Sequence, residues 1–256
     1  MQRLLDALEA ALHAQVRLAA PVAGLDPVAG GSGYRLRFGG AAPPAASAAG
    51  AGAPSDAGSE SFDAVVLTTP APATAALLRP HLPAAADALT AIPYAGVRVL
   101  GLGFHRLDVP RELDGFGFLV PRGQGVRSLG VLWTSSLFPD RAPPGRVLLR
   151  VLAGGRLDPA MLALDDDEAL ALARRDLHLT MGIAAEPEFV VTVRWPQAIP
   201  QYTLGHAARV AALEQALEAL PGVHLAGDAY RGVGVNDCVR EAERVAAALA
   251  GSLGTP

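Results

Sequence analysis

The segment LAGDAYRGVGVNDCV, residues 225–239, places a carboxylate, two closely spaced glycines and the start of a helix-forming stretch within one turn. The run VHLAGD before it reads as a short buried strand, so Asp228 projects from the carboxyl end of that strand, where open α/β sheets usually take their ligands. Gly232 and Gly234 remove side chains where a flat ligand can approach the backbone. The amides of Val233, Gly234 and Val235 then fall beside the positive end of the last helix, suited to a carbonyl oxygen or a developing anion. An ordinary strand-to-helix turn, with Asn236 or Asp237 as the helix cap, fits the same residues. The turn alone leaves both readings open.

The other candidates for chemistry are weaker. DDDE at 165–168 matches the acidic first turn that a helix dipole favours, and needs no metal. His206 falls at a helix start without a carboxylate partner in the sequence pattern, and is expected to be structural. Cys238, one turn into the last helix, is expected to pack as a small apolar group. Trp133 and Trp195 read as core or cavity wall. No catalytic side chain and no metal-ligand set emerges.

The chain that must position these residues has 256 residues, 51% of them hydrophobic, enough for a sizeable core in one or two domains. Its net charge of −4 leaves no broad basic face, which argues against a nucleic-acid partner. Every basic residue is Arg, a pattern attributed to codon bias. A single cysteine excludes an intrachain disulfide and a cysteine-based zinc site, and fits a reducing, cytoplasmic compartment. No run approaches the length of a membrane span, and Asp6 and Glu9 interrupt what would be the apolar part of a signal peptide. Leu4, Leu5, Leu8 and Leu12 share one helical face, so the first helix is expected to belong to a folded body.

Further along, VRLAAPVAGLDPV and YRLRFGG read as strands joined by AGGSG, and residues 41–60 as a flexible hairpin tip or insertion. FDAVVLTTP reads as one buried strand. Two short helices, Ala71 to Leu78 and Pro83 to Leu89, are opened by prolines that suit a first helical turn. GVRVLGLGF, GFGFLVP, SLGVLWTSS and RVLLRVLAGG then predict an antiparallel sheet. An acid-led helix follows, then a strand from EFVV ending at Pro196, an amphipathic helix from Gly205, the VHLAGD strand and a helix from about Asn236 to Ala250. Helices and strands alternate at both ends and strands cluster in the middle. The expected class is α/β (α+β): an incomplete dinucleotide-binding layer, residues 1–72 and 188–256, and an antiparallel-sheet substrate domain, residues 73–187.

LAGDAYRGVGVNDCVREAERVAAALAG resembles the C-terminal flavin-binding segment of the protoporphyrinogen oxidase family, within the amine-oxidase-like flavoproteins. RWPQAIPQYTLGHAARVAALEQAL is similar to that family's Ile-Pro-Gln-Tyr segment, here Ile199 to Tyr202, and GFGFLVPRG and LGVLWTSSLFP to its substrate-domain strands. The resemblance covers essentially the whole chain in order. It implies FAD as cofactor, with Val233, Gly234 and Val235 against the pyrimidine edge of the isoalloxazine. It also implies Asp228 near the ribityl or pyrophosphate portion and the Val22 backbone near the adenine end. Leu119, Leu132 and Leu152 match apolar positions lining a tetrapyrrole cavity; leucine on a strand is also ordinary core.

The reaction so implied is oxygen-dependent oxidation of a porphyrinogen, protoporphyrinogen IX or coproporphyrinogen III, to the porphyrin. The location implied is cytoplasmic, with peripheral membrane contact in the intact enzyme. The family's Gly-x-Gly-x-x-Gly turn finds no match here, since GGSG at 30–33 lacks a following helix and GVGVND has the wrong spacing. The resemblance is therefore to the C-terminal portion, starting just before MQRLLDAL. Such a portion is expected to bind FAD weakly or not at all alone and to need an N-terminal half. Rival readings are another amine-oxidase-like flavoenzyme (a desaturase or amine oxidase), a non-catalytic split-half partner, and a tetrapyrrole-binding chaperone.

Overall fold

A computed structural model describes residues 2–12, 14–39 and 58–253. The chain divides into two compact units, residues 1–91 with 205–256, and residues 92–204. The first unit begins with α1 (Gln2–Ala11). Its leucine face is about half exposed at Leu4, Leu5, Leu8 and Leu12, so the expected burial of that face does not occur. β1 (Val22–Pro27), β2 (Tyr34–Phe38) and β3 (Ser59–Phe62) form an antiparallel sheet in that order. Strand structure starts at Val22, later than the run from Val16 suggested. Most of the expected insertion lies outside the described residues, and its last two residues, Ser59 and Glu60, open β3.

FDAVVLTTP is two strands in two sheets instead of one. Phe62 closes β3, and β4 (Val65–Leu67) pairs in parallel with β10 (Val223–Leu225). A bend at Asp63 separates them, which a continuous apolar pattern does not reveal. Val65 and Leu67 are buried, as are Val223 and Leu225 opposite them. α2 (Ala71–Leu78) and α3 (Pro83–Thr90) each carry proline in the first turn, where the missing N–H has no helical partner to lose. α6 (His206–Leu217) contacts α3 and buries Val210, Leu213 and Leu217. α7 (Val235–Leu253) completes the unit.

The second unit is a five-stranded antiparallel sheet in the order β6 (Gly117–Leu119), β7 (Ser128–Trp133), β8 (Arg146–Gly154), β5 (Tyr94–His105), β9 (Phe189–Pro200). After β7, Thr134–Leu137 make one helical turn, α4, rather than extending the strand. One sheet face carries Leu100, Leu102, Phe104, Val131, Trp133, Leu149 and Val151. These pack in one cluster with Ala169, Ala173, Leu177 and Met181 of α5 (Asp166–Met181). Each fully buried side chain of this size contributes about 1.5–3 kcal/mol of burial. Trp133 is thus core, while Trp195 is half exposed.

Two buried polar groups fix α5 on this sheet. Asp176 accepts from the amides of Arg127 and Ser128 at 3.1 and 2.8 Å and from the Ser128 hydroxyl at 2.7 Å. Arg98, wholly buried on β5, donates to the Asp165 carbonyl at 2.8 Å, to the Leu164 carbonyl and to the Asp166 carboxylate. The acidic run is accounted for locally, since Asp165 and Glu168 form a reciprocal capping box at the start of α5.

β9 does not stop at Pro196. It continues to Pro200 because it is an edge strand with a register shift opposite Ala95–Val97, where a residue without an N–H is tolerated. Because β9 pairs with β5 over most of its length, it belongs to the second unit, and α2 and α3 belong to the first. The unit boundaries therefore fall after residues 91 and 204, where 72 and 187 were expected.

Candidate functional site

The turn after β10 is built from successive backbone anchors. The Ala226 amide donates to the Leu67 carbonyl at 3.1 Å, extending the parallel pairing one step beyond the strand. Gly227 then turns with φ +124°, which brings Asp228 out at the carboxyl end of the two-stranded sheet. Asp228 is partly buried, and burial raises its carboxyl above the ordinary value of 3.8.

Next, the Tyr230 carbonyl accepts from Nε2 of His206, buried at the first turn of α6, at 3.0 Å. Arg231 bonds to Glu241 of α7 at 2.7 Å and to Glu214 of α6. Glu241 is almost completely buried and also accepts from Arg244 at 3.0 and 2.7 Å. Hydrogen bonding from Arg244, with the charges of Arg231 and Arg244, holds its carboxyl below the usual range. The backbone ahead of the helix is thus held from α6 on one side and from α7 on the other.

The space that side chains at Gly232 and Gly234 would occupy is not empty. The Asp237 carboxylate fills that space: a Cβ on Gly232 (φ +155°) would lie 2.4 Å from the Asp237 side chain, and one on Gly234 2.9 Å from it. Asp237, third residue of α7, accepts from the Gly234 amide at 3.1 Å, the return half of a capping box. The Gly234 carbonyl accepts from the amides of Asp237 and Cys238 at 3.0 Å each. Gly234 is therefore the residue at which α7 starts. Of the three amides expected to face a ligand, that of Gly234 is taken internally. Those of Val233 and Val235, with that of Asn236, have no hydrogen-bond partner among the described residues, and all three side chains are exposed.

Cys238 is partly buried. Burial, with the charges of Asp228 and Asp237, pushes its thiol up, so it is not poised as a nucleophile. Val22 opens β1 and pairs with Phe38, half exposed. Asp228, Val233, Gly234 and Val235 share one turn, and Val22 lies elsewhere in the first unit.

Leu119, Leu132 and Leu152 belong to the second unit, on the sheet face opposite α5. Registers Leu119↔Gly130, Gly130↔Leu152 and Gly117↔Leu132 bring all three to that face. Leu119 is 83% exposed, whereas Leu132 and Leu152 are partly buried. Their face is an open apolar wall and not the buried core, the distinction that leucine on a strand left undecided.

Amides at the positive end of a 19-residue helix suit a carbonyl-bearing edge, and a nearby carboxylate suits hydroxyl groups. The donors present therefore fit the pyrimidine edge and ribityl side of a flavin. Sequence reasoning missed His206 as an anchor of the turn, and the pairing of Arg231 with Glu241 and Glu214. These partners are distant in sequence and carry no local pattern. Asn236 or Asp237 was expected as the helix cap; Gly234 takes that place, and Asp237 instead reaches back to it from the third helical position.

The family described as flavin containing amine oxidoreductase matches residues 1–250. Over 200 residues the chain is 39% identical to the chloroplastic protoporphyrinogen oxidase of Nicotiana tabacum, covering 74% of this chain and 36% of that protein. Over 178 residues it is 35% identical to coproporphyrinogen III oxidase of Bacillus subtilis (strain 168), covering 69% and 37%. A crystal structure from Exiguobacterium sp. 255-15, a candidate protoporphyrinogen oxidase, superposes with TM-score 0.78 at 27% identity, covering 97% of this chain and 50% of that one. The chain thus spans just over a third of the two curated relatives and half of the solved one.

Proposed function

The chain belongs to the flavin-containing amine oxidoreductase family, and from that premise we propose that it supplies one edge of an FAD site and the substrate wall of a porphyrinogen oxidase. The reaction is oxidation of protoporphyrinogen or coproporphyrinogen to the porphyrin with molecular oxygen as final acceptor. Relatives named for each substrate support the class without choosing between them. The observation that carries the flavin reading is the turn between β10 and α7, which leaves the amides of Val233, Val235 and Asn236 open close in sequence to Asp228.

FAD held at this turn would supply the hydride-accepting chemistry, with oxygen as the final electron acceptor. The open amides of Val233, Val235 and Asn236 and the positive end of α7 would hold its carbonyl edge and favour negative charge there. Asp228 accepts from hydroxyl groups, and its raised carboxyl keeps that contact sensitive to pH. Leu119, Leu132 and Leu152 would orient a broad apolar macrocycle by contact. No side chain of this chain is needed as a nucleophile.

Titration of FAD fluorescence with the purified chain tests the reading. Saturable quenching, weakened in Asp228→Asn, is expected, with affinity low enough that the flavin is lost on desalting. Absence of quenching at the highest attainable protein concentration would overturn it. Appearance of porphyrin fluorescence from coproporphyrinogen or protoporphyrinogen, with FAD and air, tests the substrate class. Retention of flavin only after addition of the N-terminal part of a relative would support pairing with such a half.

A further inference from the structure

The open face of the five-stranded sheet carries one cation with no counter-charge. Arg150 on β8 pairs in register with Leu132 on β7 and Gly101 on β5, so its side chain shares the face of Leu132 and Leu152. It is exposed, and its guanidinium has no ion pair or hydrogen bond among the described residues. Arg146, four residues earlier on the same strand and face, is paired with Glu188. The buried Arg98, on the opposite face, is held by two carbonyls and Asp166. Arg150 alone among these is left without an anion.

Its surroundings are apolar and flat. Leu148 and Leu152 flank it along β8, and Leu132 lies across from it. On the other side Gly101 offers no side chain, and Val191 of β9 leans over that glycine, 2.8 Å from where a Cβ would stand. Leu119 similarly lies over Gly130. A broad apolar macrocycle can rest on such a wall, and a guanidinium set within it selects a carboxylate at the ligand's rim, in a geometry that lysine does not reproduce.

We infer that Arg150 is a substrate-contact residue that binds a peripheral carboxylate of the tetrapyrrole and sets its orientation on the wall. This rests on the porphyrinogen reading above. Porphyrinogens carry their propionates at the ring edge, so an apolar wall with one unpaired cation complements such a ring better than a fully apolar ligand. A carboxylate brought down beside the leucines is partly shielded from water, which strengthens its bond to the guanidinium.

The test is equilibrium binding to the full chain, by fluorescence, of coproporphyrin III and of its tetramethyl ester in one detergent-containing buffer. The wild type is expected to prefer the free acid by roughly three- to tenfold, the range of a partly screened charge-assisted bond. Arg150→Met is expected to abolish the preference while leaving the ester's affinity unchanged, and Arg150→Lys to keep part of it. In the wild type the preference should shrink as salt rises, a measurement that needs no variant to fold. Equal affinity of the wild type for acid and ester, or an unaltered preference in a folded Arg150→Met, would overturn the inference and leave the porphyrinogen reading standing. Binding of neither compound to the wild type would overturn both.

Discussion

His206, at the start of α6, donates from Nε2 to the Tyr230 carbonyl 3.0 Å away, joining one helix to the turn that precedes another. The carbonyl can only accept, so the proton sits on Nε2 and the ring is fixed as that tautomer or as the cation. A residue with no carboxylate partner in its sequence pattern thereby sets the path of the backbone three to six residues before the open amides.

Replacing His206 by Ala removes that donor and should lower stability by about 1–2 kcal/mol. Hydrogen exchange of the amides between residues 226 and 236 should accelerate selectively, and FAD quenching should weaken. Uniform acceleration over the whole first unit would mean that His206 supports the core in general and not this turn.

Asp228 should make folding less favourable as pH rises. Its folded carboxyl lies above the ordinary 3.8, so between those values the folded state binds more protons than the unfolded state, and stability falls with increasing pH. Asp228→Asn should therefore be more stable than the wild type at neutral pH. The gap should close as pH falls toward 3.8, measured by urea unfolding at several pH values. The same variant should bind FAD less well, a trade of function against stability.

Glu241 should behave oppositely. Its carboxyl is held below 4.5 by Arg244 and Arg231, so its contribution is complete above 4.5 and is lost as pH falls through the lower folded value. Glu241→Gln should cost about 1–3 kcal/mol at neutral pH, because a buried group loses two charge-assisted partners. The difference from wild type should vanish in acid, and a constant difference across the range would assign the effect to packing.

Gly232→Ala meets two obstacles, a φ of +155° and the Asp237 side chain 2.4 Å from the new methyl group. The cost should be about 1–3 kcal/mol. Part of it is steric and part conformational, which a second substitution separates. In the Asp237→Ala background the added cost of Gly232→Ala should be smaller, and thermal melts of the four proteins give the coupling directly. Strict additivity would show that the glycine serves its backbone angle alone.

The elements with strong periodic patterns were legible in the sequence. α2, α3 and α5 fall within a residue or two of their expected bounds, since prolines, acids and a left-handed Gly182 mark their ends, whereas α6 stops at Leu217, three residues before the end that Pro221 suggested. The middle antiparallel sheet was legible from its short apolar runs between turns. What escaped was set by tertiary pairing. Phe62 and Val65 belong to different sheets because their partners, β2 and β10, come from distant parts of the chain. Pro196 lies inside a strand because β9 is at an edge. In the candidate site, Asp228 and the helix start were readable, but Asp237 occupying the space beside Gly232 was visible only in three dimensions. Leu119, Leu132 and Leu152 could be placed on strands, while the face they occupy depended on register.

The division of the chain also orders its synthesis. Residues 92–204 are contiguous and can complete their sheet as soon as β9 leaves the ribosome. β4 emerges much earlier, yet its parallel partner β10 is translated only after the whole second unit. Non-local pairing of this kind is slow to form, and the unpaired strand meanwhile is open to other nascent chains. Residues 92–204 can therefore be native while the segments on either side of them still wait for each other.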